Sequence, residues 1–114
     1  MTFDDVRAMA LALPQVEEAT SYDTPAFRIR KRLIARMHHE HDALVIRVDG
    51  LEREALLATK PDQFFMTPHY EGTNWILARL ETADPQELAE LLAGAWRRLA
   101  PRRIVEAFDA GELD

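Results

Sequence analysis

The chain has 114 residues, no cysteine, 47% hydrophobic and 30% charged residues, and 20 acidic against 14 basic side chains for a net charge of −6. These figures fit one domain, spanning residues 1–114, and exclude two independent domains, a disulfide framework, a cysteine zinc site and a thiol nucleophile. They also exclude a uniformly basic nucleic-acid binder.

Phe3, Val6, Met9, Ala10 and Leu13 follow helical spacing, with Thr2 as N-cap, Asp5 three residues on, and Pro14 ending the run. Residues 14–25 read as an acidic connector carrying Glu17, Glu18 and Asp23, with Pro25 forcing an extended exit. Ala26–Ile29, Leu33–His38 and Ala43–Val48 carry strand signals. A two-residue turn between the first two would need positive φ at residues that are neither Gly nor Asn. A three-residue turn, Arg30-Lys31-Arg32, is therefore expected. It places Phe27, Ile29, Leu33, Ala35 and Met37 on one face, extended by Leu44, Ile46 and Val48, and leaves Arg28, Ile34, Arg36 and Arg47 on the other.

A short helix is expected over residues 51–58, stopped by Pro61. Phe64–Thr67 and Trp75–Leu80 read as a further strand pair. The last long helix is the most clearly marked, with Asp84 as N-cap, Pro85 at the first helical position and Glu87 completing a capping box. Leu88, Leu91, Leu92, Ala95 and Leu99 form its apolar stripe. Arg102–Phe108 adds a further short helix, and residues 109–114 form a frayed tail. The expected fold class is α+β, a mainly antiparallel sheet of about five strands with helices on one face. No stretch approaches the ~20 apolar residues needed to cross a bilayer. Met1–Asp5 offers neither a basic leader nor an apolar run, so a cytoplasmic location is expected.

Charge is distributed unevenly. Residues 24–39 hold Arg28, Arg30, Lys31, Arg32 and Arg36 and no acid. With Arg47 these make a candidate phosphate-contacting ribbon, because the arginine fork binds phosphate oxygens bidentately. A second basic group, Arg97, Arg98, Arg102 and Arg103, falls near the end of the last long helix. The plain alternative is a solvated hairpin and a helix end complemented by positive charge. His38-His39-Glu40-His41-Asp42 offers His39, His41 and Asp42 as metal ligands or acid–base groups, although a polar turn is expected there in any case. Tyr70, Trp75 and Trp96 could stack on bases or a small ligand, with packing the preferred reading for at least two of the three; Tyr70 and Trp75 are the candidate ligand-stacking residues. There is no Gly-rich phosphate loop, and Ser21, the single serine, lacks a nucleophile-elbow setting. No catalytic residue and no cofactor is expected.

Leu13-Pro14-Gln15-Val16-Glu17-Glu18, Pro25-Ala26-Phe27-Arg28-Ile29, Pro68-His69-Tyr70, Asn74-Trp75-Ile76 and Asp84-Pro85-Gln86-Glu87-Leu88 together resemble the MmcQ/YjbR family over about residues 2–108. The resemblance implies a small bacterial α+β domain with a sheet like that of the CyaY/frataxin proteins, and a DNA-binding role of the kind family members are commonly given. It supplies no catalytic residues, and the shared architecture brings no iron chemistry with it. Relatives often carry a Gly-Lys turn where this chain has Arg30-Lys31-Arg32, which makes this hairpin more basic.

Three functions follow as expectations. The first is a non-catalytic DNA-binding domain using the basic hairpin. The second is a module for an acidic protein partner or a small anion, and the third is a metal-assisted enzyme at His39, His41 and Asp42.

Overall fold

In the computed structural model, which describes residues 1–112, the chain runs α1 (Phe3–Leu11), β1 (Val16–Ser21), β2 (Thr24–Ile29), β3 (Arg32–Met37), β4 (Ala43–Arg47), α2 (Gly50–Thr59), β5 (Phe64–Phe65), a 3-10 turn (Pro68–Tyr70), β6 (Trp75–Arg79), α3 (Pro85–Leu99) and α4 (Arg102–Asp109). The strands form one sheet in the order β1-β2-β3-β4-β6-β5, and every neighbouring pair is antiparallel. No helix among the described residues is long and apolar enough to cross a membrane.

The sheet has two unlike faces. Phe27, Ile29, Ile34, Leu44, Ile46, Ile76 and Ala78 point to one side and pack with Val6 and Ala10 of α1, Leu56 of α2, Leu88, Leu92 and Trp96 of α3, and Ile104 of α4. All four helices therefore serve one core, as the α+β reading expects. Trp96 is fully buried, and its indole N–H donates to the Pro14 carbonyl at 2.9 Å. The other face carries a small cluster of Ala43, Val45 and Leu77, flanked by Phe65, Met66 and Trp75 and covered by Tyr70 of the 3-10 turn.

Local signals explain the helix starts. The Thr2 hydroxyl accepts from the Asp5 N–H while the Asp5 carboxylate accepts from the Thr2 N–H, a complete capping box. Asp84 caps α3 by accepting from the Gln86 N–H, with Pro85 in the first turn. Glu87 does not complete that box; it pairs instead with the Lys60 ammonium.

Three expectations are corrected. Residues 16–21 are not connector but the outer strand β1, paired along its length with β2 from Val16↔Ile29 to Ser21↔Thr24. The β2–β3 turn has two residues rather than three. Ile29 pairs with Arg32, and Arg30 (φ 50°) and Lys31 (φ 69°) both take the left-handed conformation. Finally, the register slips within this hairpin, since Phe27 faces Ala35 but Arg28 faces Leu33. Ile34 is the extra residue of a bulge, and it turns into the core while Leu33 stays half-buried. The sheet thus has six strands. Of the expected loose tail 109–114, Asp109 belongs to α4, residues 110–112 hydrogen-bond back to that helix, and residues 113–114 lie outside the described residues.

Candidate functional site

Two surfaces collect the chemistry, one at each end of the central strands. The β2–β3 turn defines the first. Arg30, Lys31 and Arg32 are exposed. Arg28 is half-buried and donates to the Lys31 carbonyl at 3.2 Å, which braces the turn from beneath. Arg47, at the end of β4, donates from Nε to the Leu33 carbonyl at 3.0 Å, and its guanidinium lies 4.7 Å above the Trp75 ring. Arg98 reaches from α3 to the Arg47 carbonyl at 3.2 Å. Burial, and then the like charges of Arg32 and Arg98, pull the Arg47 guanidinium below its usual value.

Among the described residues, none of Arg28, Arg30, Lys31, Arg32, Arg47 and Arg98 is held in an ion pair. Glu17 stands opposite Arg28 in the β1–β2 register without forming one. Of the C-terminal arginines, Arg98 is the one that reaches the residues of this surface, at the Arg47 carbonyl. Arg97 is taken up by Asp109 at 2.7 Å and Arg102 by Glu106 at 2.9 Å.

Arg36 does not belong to this surface. It is 6% exposed, four residues further along β3, roughly 13 Å at strand rise. Its guanidinium donates to the Met37 carbonyl at 3.1 Å and to the Tyr70 hydroxyl. Its place beside Tyr70, at the other end of the sheet, removes it from the basic ribbon around the β2–β3 turn. Arg47 covers one face of the Trp75 ring, and Trp75 does not line the cleft that Tyr70 lines.

The second surface is a cleft of 1120 Å³ at the opposite end of the sheet. Five separate segments build it, with Phe3 contributed by α1. The β1–β2 turn contributes Tyr22, β3 contributes Arg36, and the 3-10 turn contributes His69 and Tyr70. The β3–β4 loop contributes His38, His39 and His41, so all four histidines of the chain line this one cleft. His38 stacks on His39 with ring centroids 4.6 Å apart and lies 4.9 Å from His41. Its Nδ1 accepts from the backbone N–H groups of Glu40 and His41 at 3.0 and 3.2 Å. That nitrogen is committed to shaping the loop, and burial followed by the charges of His39, His41 and Arg36 holds His38 below its usual value.

The histidines do not form a metal centre. Among the described residues no three His, Asp or Glu side chains converge as ligands. Asp42 instead faces a separate small depression with Phe65 and Arg79. His41 lines both hollows, whereas His39 lines only the larger and Asp42 only the smaller, so the three do not converge on one point.

Tyr22 is the cleft residue that sequence reasoning missed. It is 82% exposed and sits at φ 52° beside Asp23 at φ 63° in a two-residue turn. The available signal was an aromatic at a hairpin tip, visible only once residues 16–21 are recognised as a strand.

This geometry defines an antiparallel α+β domain with helices on one face and two polar surfaces at the sheet ends. The YjbR family profile matches residues 11–98, and the chain belongs to the YjbR family. It is 30% identical to the uncharacterized protein Mb2600 of Mycobacterium bovis over 94% of this chain and 95% of that one. The same identity and coverage hold for the uncharacterized protein Rv2570 of Mycobacterium tuberculosis. The fold is similar to the crystal structure of Deinococcus radiodurans protein DR2400, which carries a DUF419 domain. The TM-score is 0.75 at 25% identity, covering 90% of this chain and 80% of that one.

Proposed function

We propose that the protein is a non-catalytic nucleic-acid-binding domain whose contact surface is the end of the sheet around the β2–β3 turn. One observation carries this reading: Arg30, Lys31, Arg32, Arg47 and Arg98 gather at one end of the sheet and lack carboxylate partners among the described residues. Cations that a protein leaves unneutralised within an otherwise acidic chain are available to an external polyanion. Arg28 and Arg47 are braced by backbone carbonyls, so they meet phosphates with little further loss of side-chain freedom.

The contacts fall on phosphates rather than base edges. Binding is then weak in sequence preference and steep in salt. The net charge of −6 opposes long-range attraction, which confines binding to this local patch.

The test is fluorescence anisotropy with labelled duplex and single-stranded DNA at about 50 and 200 mM salt. About five phosphate contacts give a log–log salt slope near −4.5, and the triple variant R30S/K31S/R32S reduces its magnitude by roughly 2.7. Absence of binding at the lower salt removes the reading and leaves an acidic protein partner as the alternative for this surface.

A further inference from the structure

The cleft at the other end of the sheet contains an unusual charge. Arg36 is 6% exposed, yet none of the ion pairs among the described residues includes it. A guanidinium has five N–H donors, and only two hydrogen bonds, to the Met37 carbonyl and the Tyr70 hydroxyl, are made to the described residues. The faces of Tyr22 and Tyr70, 5.2 and 5.8 Å away, compensate the charge in part. A cation withdrawn from water with spare donors and no counter-ion, at the wall of an open cleft, fits an anion that comes from outside.

The rest of the cleft describes that anion's shape. Its walls are planar rings: Tyr22 on one side, the His38–His39 stack on another, and Tyr70 with His69 below. The cleft is open rather than a close cage for a lone inorganic anion, and its ring-lined walls suit a ring-bearing molecule. Asp23 and Glu40 stand exposed at the rim, with Glu40 engaged by His39 at 3.3 Å. Tyr22 adds a further sign. A tyrosine at φ 52° occupies a conformation that Gly or Asn adopts more cheaply, and the effect is to stand its ring beside Arg36.

We propose that this cleft binds a small planar organic anion, an aromatic carboxylate or an aromatic phosphate monoester, with the anionic group on Arg36 and the ring between Tyr22 and the His38–His39 stack. The site is separate from the β2–β3 turn and does not depend on nucleic-acid binding.

The experiment is a two-dimensional NMR titration of ¹⁵N-labelled protein with 1-naphthoate and with 1-naphthyl phosphate. 1-Naphthalenemethanol and inorganic phosphate serve as controls. At least one naphthyl anion is expected to give saturable shifts confined to residues 22–25, 36–41 and 67–70, while both controls bind roughly tenfold more weakly. Saturation by only one of the two identifies the head group as carboxylate or phosphate. Tyr22→Ala, at an exposed position, weakens binding roughly tenfold without lowering the melting temperature, and Arg36→Met abolishes preference for the anions over the alcohol. The variant R30S/K31S/R32S retains full binding. The proposal is overturned if neither anion saturates by ~5 mM, if the shifts map to the Arg30–Arg32 turn, or if the neutral alcohol binds as well as the acids.

Discussion

Arg36 lies beneath Tyr70, donating to its hydroxyl with its guanidinium 5.8 Å from the ring centre. The pair ties β3 to the 3-10 turn and closes the floor of the cleft. Tyr70→Phe removes the acceptor from a buried charged donor and should cost about 1.5–3 kcal/mol in urea unfolding. Arg36→Met removes the charge itself and fills similar volume. It should be nearly neutral or stabilising, because the desolvation cost goes with it. The double variant should then lie well short of additivity, which a double-mutant cycle measures directly. Full additivity would show that the contact carries no coupling.

The two hairpin turns at either end of β2 each place two non-glycine residues in the left-handed region, Tyr22-Asp23 and Arg30-Lys31. Each such residue carries a cost of about 1 kcal/mol that glycine avoids. Lys31→Gly is expected to raise stability by about 0.5–1 kcal/mol, part of the relief being returned as unfolded-state entropy. It should also lower the magnitude of the DNA salt slope by about 0.9. Opposite signs for stability and binding distinguish a residue kept for its charge from one kept for the turn. Thermal unfolding and anisotropy on the same preparation provide both readings.

His38 makes stability depend on pH in a definite direction. Its folded-state value lies below the ordinary 6.5, first because of burial and then because of neighbouring positive charge. The unfolded chain therefore binds more protons in this window, and stability rises with pH. The contribution is fully present above the ordinary value and is lost as pH falls through 6.5 toward the lowered one. Urea midpoints at pH 5 and 7.5 should differ in that sense. His38→Asn supplies an acceptor for the same loop amides without a titrating group, and should flatten the difference. An unchanged slope in that variant would assign the pH dependence elsewhere.

Trp96 anchors α3 to the segment after α1. Its Nε1–H reaches the Pro14 carbonyl, and its ring meets Phe108 with centroids 5.0 Å apart. Trp96→Phe keeps most of the packing but strips Pro14 of its donor, for an expected loss of about 1–3 kcal/mol. Trp96→Ala adds a cavity and should cost about 3–5 kcal/mol. Denaturant unfolding of the two variants separates the hydrogen bond from the volume.

Helix starts were legible because their signals are local. Thr2 with Asp5, and Asp84 with Pro85, announce themselves within four residues. The three central strands and most of their helix-facing residues are legible from alternation, Leu33 and Ile34 excepted. β1 was not, because Glu17 and Glu18 put charge on successive positions and an outer strand buries too little to show a period. The Arg30-Lys31 turn was misjudged since left-handed arginine and lysine carry a local cost that tertiary pairing overrides. The bulge at Ile34 followed from that error. The basic turn was readable because its charges are consecutive. The cleft was not, because Tyr22, Arg36, the histidine loop and Tyr70 meet only when β3 and the 3-10 turn close over the uncovered face of the sheet.

The sheet ends on one side in β5, only two residues long, and on the other in the six-residue β1. β1 therefore offers the longer unpaired backbone border to another molecule, and Glu17 and Glu18 place two like charges along it. Arg7 holds Glu18 at 2.7 Å, so the charge that two copies aligning there would bring together is that of Glu17, which works against edge-to-edge pairing. A residue that hides this strand from sequence reading thus also leaves a charge on its free border.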